Sequence, residues 1–306
     1  MKHFGEKVKI GKELNEMKYS EKRELRKKNA EENTKRRETQ YEKEIKECYE
    51  NTVIYNREEI NDFWSNEPVK FIPNVQIVDC GSVQAICEYK SLEYEVLRKN
   101  EDKIAVLNFA SFKHPGGGYI IGTHAQEECL CEESILYNVL RKFENTWYKE
   151  NLNHLNNSLY ADRGLYTPNV LFFANSETGW TDPCDVITVA CPNWKSYQEH
   201  FNKNSSFAPI EDANMKALRD RCKFVLEIAK RQNVHTLILG AFGCGVFKQN
   251  PEDVAFIFKD LLETYNYGIT LVEFAIPSFN TQSKSDNLGV FKKVFSEYKG
   301  QTWGIF

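Results

Sequence analysis

From about residue 51 onwards, short apolar runs alternate along the chain with amphipathic stretches. The apolar runs predict six strands: Ile72–Cys80, Lys103–Ser111, Val170–Asn175, Val186–Ala190, Thr236–Ala241 and Ile269–Ile276. The amphipathic stretches predict five helices: Ser82–Tyr89, Gln126–Phe143, Asp212–Arg231, Pro251–Thr264 and Leu288–Tyr298. Strands that are apolar throughout and alternate with helices indicate a sheet covered on both faces. We therefore expect an α/β fold of three layers.

The first 50 residues follow a different pattern, dominated by Lys, Glu, Arg and Asn. Leu14, Met17, Tyr41 and Ile45 hint at helical spacing, which predicts one or two helices. A charge run of this kind usually forms a solvated face; the alternative is a lid or brace that packs on the core. The change in composition predicts a helical N-terminal extension over residues 1–50 and one α/β domain over residues 51–306.

Composition narrows the class of protein. The chain has 306 residues, a net charge of −4 and a pI near 6.0, so we expect no bulk binding of nucleic acid. The nine cysteines are scattered, odd in number and lack a C-x-x-C pair, which favours a reduced compartment. The N-terminus lacks the apolar region of a signal peptide, and no apolar run reaches the length of a membrane span. We expect a soluble protein of the cytoplasm or nucleus, with no membrane partner.

The most informative segment reads NFASFKHPGGGYIIGTHAQEE, from Asn108 to Glu128. A buried strand ends at Asn108–Ser111, where an α/β sheet delivers groups to a ligand crevice. The glycines Gly116–Gly118 then allow positive φ values and a close approach of the backbone to a ligand. A Gly triplet by itself is more often a plain turn. Its ordered combination with the residues that follow is what indicates function.

Those residues are two adjacent carboxylates, Glu127 and Glu128, in the first turn of a predicted helix. The helix amides favour anionic side chains or ligands there. Two like charges side by side raise one pKa, which suits a general acid near neutral pH. A glutamate at a helix start is commonly an ordinary solvated residue, so this feature also depends on its neighbours.

A second glycine-rich segment, TLILGAFGCGVFKQNP, covers Thr236–Pro251. An apolar strand runs into Gly240, Gly243 and Gly245, whose N–H groups can wrap a diphosphate. The spacing fits neither a P-loop nor a dinucleotide fingerprint, so a nucleotide triphosphatase or a dehydrogenase is not supported. The alternative is a strand-to-helix turn with a buried cysteine. A third segment, Val186–Trp194, is a strand with a Pro-Asn corner at the same edge, which is more often only a strand and a turn.

Together these segments resemble the microbial-type poly(ADP-ribose) glycohydrolases, a divergent macrodomain family. The family signature, Gly-Gly-Gly followed after a short spacer by Gln-Glu-Glu, stands here as Gly116–Gly118 and Gln126–Glu128. The resemblance extends from about residue 35 to the end, through CLCEESILY, the GAFGCGVF loop with its Asn-Pro, and an accessory helix in RETQYEKEIKECY. It implies a three-layer α/β/α macrodomain with a mixed central sheet.

The resemblance also implies roles. Glu128 would protonate the leaving ribose oxygen and then activate water, and Glu127 would bind hydroxyls of that ribose. Asn108 would hold the terminal ribose. Further substrate contacts would come from Gly116, Gly117, Gly118 and Gln126 around that sugar, from the amides of Gly243, Cys244, Gly245 and Val246 on the diphosphate, and from Phe247 against the ribose. Phe279 would stack on adenine, and Asp79 is the nearest candidate for reading the adenine amino group.

The implied chemistry is hydrolysis of an O-glycosidic bond through an oxocarbenium-like transition state. Two adjacent residues of one helical turn cannot flank the sugar from opposite faces. We therefore expect one carboxyl to act as acid and base, while the substrate's own diphosphate stabilises the positive ribose. The six histidines form no ligand pattern, so we expect neither a metal nor another cofactor.

Three functions remain open at this point. The first is a glycosidase that releases ADP-ribose from poly(ADP-ribose). The second is a macrodomain hydrolase that removes a single ADP-ribose from protein or nucleic acid. The third is a non-catalytic ADP-ribose reader, which the intact Gln126–Glu128 triplet disfavours.

Overall fold

The computed structural model describes residues 17–60, 62–89, 102–175, 180–204, 211–278 and 286–303. Within these ranges eight strands form one mixed sheet in the order β1-β4-β5-β3-β6-β7-β2-β8. Their bounds are β1 Val53–Asn56, β2 Asn74–Val78, β3 Ile104–Phe109, β4 Arg163–Asn175, β5 Trp180–Val189, β6 Thr236–Leu239, β7 Leu271–Ala275 and β8 Thr302–Trp303. β4 runs antiparallel to β1 and β5, and the remaining neighbours are parallel. The predicted α/β class and the mixed sheet are confirmed.

Nine α-helices of five residues or more lie in the same ranges. They are α1 Tyr19–Gln40, α2 Glu42–Glu50, α3 Ser82–Tyr89, α4 Gln126–Glu132, α5 Leu136–Leu140, α6 Trp194–Asn204, α7 Glu211–Arg231, α8 Pro251–Thr264 and α9 Asn287–Phe295. Short 3-10 and π turns connect α5 to β4. The bounds of α3 and α8 are those predicted. Strands β1 and β8 and helix α6 were not predicted. None of the described helices is both long and apolar enough to cross a membrane.

The predicted helix Gln126–Phe143 is broken at Ser134, because the backbone there turns to the sheet. The Ile135 amide donates to Leu171 O at 3.1 Å, and the Phe173 amide donates to Glu133 O at 2.8 Å. The buried Ser134 hydroxyl donates to Leu130 O and accepts from the Leu136 amide at 3.0 Å, so it ends one helix and starts the next. A single helix was therefore the wrong prediction, since a long-range pairing overrides local periodicity.

Strand β4 begins seven residues before the predicted Val170. The first half of this strand was not predicted because it contains polar residues. Arg163 and Thr167 are buried, at 5% and 0% exposure, although both are residue types that usually lie on the surface. The register against β5 also shifts between Thr167 and Val170, and Asn169 between them has a φ of +56°. Such a bulge destroys the simple apolar run that marks a strand.

The sheet separates two apolar clusters. Ala105 and Leu107 of β3 point into the cluster that contains α7, α8 and α9, whereas Ile104 and Val106 point into the one that contains α3, α4 and α5. The N-terminal helices join the second cluster through Ala30, Ile45 and Cys48. Of the two interpretations of the charged N-terminus, the structure therefore shows the brace, with charges on its outer face.

Candidate active site

The candidate site lies where the parallel strands end. β3 lies between β5 and β6 and is parallel to both, so their carboxyl ends share one edge of the sheet. The segment after β3 carries the glycine triplet and the acidic pair, and the segment after β6 carries the second glycine loop. The Phe109 and Phe242 rings lie 5.4 Å apart between centroids, and the Phe109 ring contacts Gly240 so closely that a Cβ there would lie 3.0 Å from it. The two loops that the sequence singled out are thus neighbours.

Asn108 is the last fully buried residue of β3, at 0% exposure. Its Nδ2 donates to Glu127 Oε1 at 3.2 Å and to Thr188 Oγ1 at 3.4 Å. Its Oδ1 is buried with no hydrogen-bond partner among the described residues. A buried acceptor without a donor is costly, so this oxygen is suited to receive a ligand hydroxyl.

Glu127 is buried at 4% exposure and is tied to the end of β3. Its Oε2 accepts the Ser111 amide at 2.7 Å, in addition to the bond from Asn108. Burial raises the pKa of Glu127 to about 8; the hydrogen bonds from Ser111 and Asn108 oppose that rise, and the nearby Glu128 charge adds to it. The sequence predicted one raised pKa in the pair, but its main cause is burial rather than the like charge. Glu127 therefore holds a proton near neutral pH.

Glu128 is buried at 6% exposure, and both of its oxygens accept backbone amides. Oε1 accepts from Gly118 at 2.8 Å, and Oε2 accepts from Ala125 at 2.9 Å. The second bond caps the first turn of α4, as a Glu at the third helical position commonly does. The carboxyl group is fixed in orientation before any ligand arrives, which is the kind of preorganisation that catalysis needs.

The glycine triplet forms the wall beside the two carboxyl groups. Gly116 and Gly117 have φ values of +64° and +58°, in the left-handed region that favours glycine. A Cβ on Gly117 would lie 2.7 Å from Glu128 Oε1 and 2.8 Å from Glu127 Oε2. Gly118 has a φ of −102°, so its absent side chain matters for another reason: a Cβ there would lie 2.2 Å from Thr123 Oγ1.

Gln126 joins α4 to the sheet. Its Oε1 accepts the Phe109 amide at 2.8 Å, and its Nε2 donates to Leu107 O at 2.7 Å and to Ser82 Oγ at 3.1 Å. Both ends of the amide are therefore used by the protein to set the position of the acidic pair. The substrate contact expected of Gln126 stays a prediction.

The loop after β6 is closely packed at Gly243 and exposed at Gly245 and Val246. Gly243 has a φ of +77°, and a Cβ there would lie 2.3 Å from Cys191 Sγ at the end of β5. A Cβ on Gly245 would meet nothing within 4 Å, and Val246 is 68% exposed. The Cys244 amide donates to Ala241 O at 3.1 Å, so one of the four amides expected to bind a diphosphate is engaged within the loop.

Phe247 is half-buried beside Phe112 and Tyr160, with its ring centroid 6.4 Å from that of Tyr160. Tyr160 in turn stacks on Phe112 at 4.5 Å and has a φ of +60°. A non-glycine residue in this conformation indicates a backbone held by its surroundings. Phe279 lies outside the described residues. Asp79, at the end of β2, accepts the Ser278 amide at 2.6 Å and the Ser278 hydroxyl at 2.5 Å, so it lies at the same edge as the two loops.

Sequence reasoning missed two buried arginines that hold this edge together. Arg221 of α7 is 1% exposed; its guanidinium donates to the Tyr160 and Ala161 carbonyls at 3.0 Å and pairs with Asp162 at 2.8 Å. It thereby fixes the turn that carries Tyr160. An arginine in an amphipathic helix gives no local sign of such a role.

The second is Arg37 of α1, which is 4% exposed and lies at the C-terminal end of α4. Its guanidinium donates to Cys131 O at 2.9 Å, to Ser134 O at 2.8 Å and to Glu132 O, and it lies over the Phe173 ring. These are the carbonyls that a helix leaves unpaired at its end. A cation there also complements the helix dipole. The N-terminal brace therefore caps the helix that carries the acidic pair.

We expect an Arg37→Met variant to lose about 2–4 kcal/mol of unfolding free energy, because hydrogen bonds to a charged group contribute roughly 1.5–3 kcal/mol and buried carbonyls would lose their partner. Methionine keeps most of the apolar stem. Denaturant unfolding measures the difference. The control is Arg36→Met on the exposed face, whose guanidinium donates to Asn33 of its own helix at 2.9 Å; it should change stability by less than about 0.5 kcal/mol. Equal losses in the two variants would contradict the capping role.

Within the described ranges, no group of three or more His, Cys, Asp or Glu residues could hold a metal ion. The site brings two buried carboxyl groups, one of them with a raised pKa, next to a loop with exposed main chain. The fold is macrodomain-like, and a buried carboxyl group that can give and take a proton supports acid–base hydrolysis, the chemistry of a glycosidase.

Comparison with known proteins supports the same class. The sequence profile described as "Microbial-type PARG, catalytic domain" matches residues 5–175. A solved structure of poly(ADP-ribose) glycohydrolase from Thermomonospora curvata, bound to the inhibitor ADP-HPD, is 24% identical with a TM-score of 0.71, over 89% of this chain and 99% of that chain. The enzyme from Deinococcus radiodurans in complex with ADP-ribose is 28% identical with a TM-score of 0.66, over 82% and 97%. The search of curated protein sequences found no match.

Because the profile spans more than half of the chain, this chain belongs to the microbial-type poly(ADP-ribose) glycohydrolase family. The family resemblance, the fold and the enzyme class expected from the sequence are confirmed. The chain is a glycosidase of the poly(ADP-ribose) glycohydrolase type.

Proposed function

We propose that the chain releases ADP-ribose from poly(ADP-ribose) by hydrolysing ribose–ribose bonds, with Glu128 as the acid and base and Glu127 as its partner. The observation that carries this assignment is the fixed carboxyl of Glu128 under the glycine wall, with its two oxygens held by the Gly118 and Ala125 amides at 2.8 and 2.9 Å. The complex of the Deinococcus radiodurans relative with ADP-ribose supports ADP-ribose as the product.

The reaction begins with protonation. Because burial raises the pKa of Glu127 to about 8, Glu127 carries a proton near neutral pH and does not add a second negative charge beside Glu128. Glu128 donates a proton to the 2′ oxygen of the departing ribose while the bond from that oxygen to C1″ breaks. The positive charge that develops on the sugar is stabilised by the substrate's own diphosphate.

Water completes the reaction. The Glu128 carboxylate takes a proton from a water molecule, and the resulting hydroxide adds to C1″. One water is consumed, and the products are ADP-ribose and a polymer with a free 2′ hydroxyl. The single carboxyl returns to its starting state, so a second catalytic group on the opposite face of the sugar is not needed.

Further binding roles belong to this proposal. The Oδ1 atom of Asn108, buried without a partner among the described residues, accepts a hydrogen bond from a hydroxyl of the terminal ribose. Glu127 binds hydroxyls of the departing ribose. Exposed main chain at Gly245 and Val246 binds the diphosphate, and Phe247 packs against the sugar.

We also propose that residues 1–50 form a helical extension of a catalytic domain over residues 51–306. We also propose a reducing location in the cytoplasm or nucleus, because the nine cysteines are scattered, odd in number and lack a C-x-x-C pair.

The test compares two substrates. The purified chain is incubated with poly(ADP-ribose) and, separately, with a protein that carries single ADP-ribose groups, while free ADP-ribose is followed by chromatography. We expect release from the polymer at a kcat/KM at least about tenfold above that for the mono-modified protein, a difference of about 1.4 kcal/mol in transition-state binding. Faster release from the mono-modified protein would assign the chain to single ADP-ribose removal. Tight ADP-ribose binding in calorimetry with no release from either substrate would make it a reader.

A further inference from the structure

The N-terminal part of α1 lies beside the turn of residues 118–122, which contacts Glu128. The Arg23 side chain donates from Nε to Ile121 O at 3.0 Å, and the Arg23 carbonyl packs on Gly122, where a Cβ would lie 2.1 Å from that oxygen. Gly122 ends the turn that begins at Gly118, whose amide binds Glu128. Only three residues of chain therefore lie between Gly122, where α1 contacts this turn, and Gly118, whose amide fixes the catalytic carboxyl.

A second basic residue of α1, Arg26, lies near His124, which follows this turn. Burial lowers the pKa of His124, and the nearby Arg26 guanidinium lowers it further, while Glu128 acts in the opposite direction. His124 also contacts Cys129, with its Nδ1 3.5 Å from the sulfur. The Arg26 charge therefore lies near His124 and Cys129, just before and within α4.

These arginines belong to one face of the helix. Tyr19, Lys22, Arg23 and Arg26 have the spacing i, i+3, i+4 and i+7, which places them along one stripe about 10 Å long. Tyr19 is 71% exposed. Residues 18–28 contain six basic and two acidic residues, in a chain whose net charge is −4. Among the described residues, no carboxylate lies within ion-pair distance of Arg23 or Arg26.

The path of the polymer through the site indicates which ligand this stripe binds. If the released ADP-ribose occupies the glycine loop after β6, the rest of the polymer must leave Glu128 on its other side, past the turn 118–122. The first unit there carries a diphosphate and an adenine. A row of cations with an exposed aromatic ring is the usual platform for such a chain, since the cations bind phosphates and the ring stacks on a base.

We infer that Tyr19, Lys22, Arg23 and Arg26 form a second binding site, which holds the diphosphate and adenine of the polymer unit on the leaving side of the scissile bond. This site rests on the proposed function, because its ligand is the part of poly(ADP-ribose) that stays behind. It explains how the brace can favour polymer over a single ADP-ribose group: only the polymer offers a second diphosphate.

The experiment measures a specificity ratio, kcat/KM for poly(ADP-ribose) divided by kcat/KM for an ADP-ribosyl aryl glycoside. The aryl glycoside presents the same released unit but a neutral phenol as leaving group. In the double variant Arg23→Gln, Arg26→Gln we expect this ratio to fall about tenfold at low salt. The slope of log kcat/KM against log salt for the polymer should become shallower by about 1.4, since each phosphate contact on a flexible chain contributes about 0.7.

Two further variants separate charge from structure. Arg23→Lys, Arg26→Lys keeps both charges and should restore most of the ratio. Tyr19→Ala should lower the ratio at least about fivefold without changing the salt slope, because stacking does not release counterions. The matched control is Lys35→Gln, Arg36→Gln, which removes two charges from the same helix about 18 Å away and should leave the ratio unchanged.

The assignment is overturned if the control lowers the ratio as much as the double variant, or if the lysine variant is as deficient as the glutamine one. Binding of labelled poly(ADP-ribose) is measured in parallel in a Glu128→Gln background. Weaker binding caused only by the changes at residues 23 and 26 supports the site even if the wild-type chain does not cleave polymer, a result that would sink the proposed function instead. Displacement of the polymer by single-stranded DNA at equal phosphate concentration would reassign the stripe to nucleic acid.

Discussion

Substitution of Glu128 by Gln is expected to lower kcat for release of ADP-ribose by at least about 100-fold, because removal of a positioned acid and base typically costs two or more orders of magnitude. Glutamine has the same size, and its single oxygen can still accept one of the two amides that hold Glu128, those of Gly118 and Ala125. The fold of the site should therefore survive while its proton transfer is lost. Rates are measured with poly(ADP-ribose), and the integrity of the pocket is checked by calorimetric titration with ADP-ribose.

The matched control is Glu127→Gln. Glu127 accepts from Ser111 and Asn108, and a glutamine there keeps one of these bonds, so its role in holding the ribose should weaken first. We expect about a tenfold rise in KM for poly(ADP-ribose), since a hydrogen bond between uncharged groups contributes roughly 0.5–1.5 kcal/mol, and a smaller loss of kcat than in Glu128→Gln. Near-normal kcat for Glu128→Gln, or a larger kcat loss for Glu127→Gln, would reverse the roles of the two carboxyl groups.

A methyl group on Gly117 should be nearly as damaging. Its Cβ would lie 2.7 and 2.8 Å from oxygens of Glu128 and Glu127, which are pinned by the Gly118 and Ser111 amides and cannot move freely. A displacement of the order of 1 Å at a catalytic group can cost about 100-fold in rate. We therefore expect Gly117→Ala to lower kcat by about 100-fold. The left-handed backbone at +58° adds about 1–2 kcal/mol of instability.

Gly268→Ala separates these two effects. Gly268 has a φ of +71°, but a Cβ there would meet nothing within 4 Å, and the residue lies in the turn before β7. Its alanine variant should show the stability loss of the strained backbone in thermal unfolding, while the rate of ADP-ribose release stays within about twofold of wild type. If Gly117→Ala were no slower than Gly268→Ala, the glycine wall would not position the carboxyl groups.

Arg37 shows how the N-terminal brace connects to this chemistry. Arg37 caps the last carbonyls of α4, while Glu127 and Glu128 occupy its first turn. The helix that carries the acidic pair is thus held by α1 at one end and by the sheet at the other, through Gln126. The two ends of α1 have different tasks: Arg37 fixes the catalytic helix, and the stripe from Tyr19 to Arg26 faces the proposed polymer path.

The sequence by itself determined the elements with strong local signals. Helices α3 and α8 had clear periodicity, and the apolar runs of β3 and β6 placed the two glycine loops at strand ends, so the acidic pair and the family followed from Gly116–Gly118 and Gln126–Glu128. The strand order and the parallel pairing that bring these loops to one edge came from the structure. Local patterns of this kind are written in consecutive residues.

Only the tertiary structure decided the features that depend on partners distant in sequence. Arg37 contacts residues 94–97 positions away, Arg221 contacts carbonyls about 60 positions away, and Ser134 breaks a helix because β4 pairs there. The raised pKa of Glu127 likewise comes from burial, which adjacent residues do not reveal. The sequence shows that the N-terminal helices are charged. Which of their side chains are buried is decided by the core against which these helices pack.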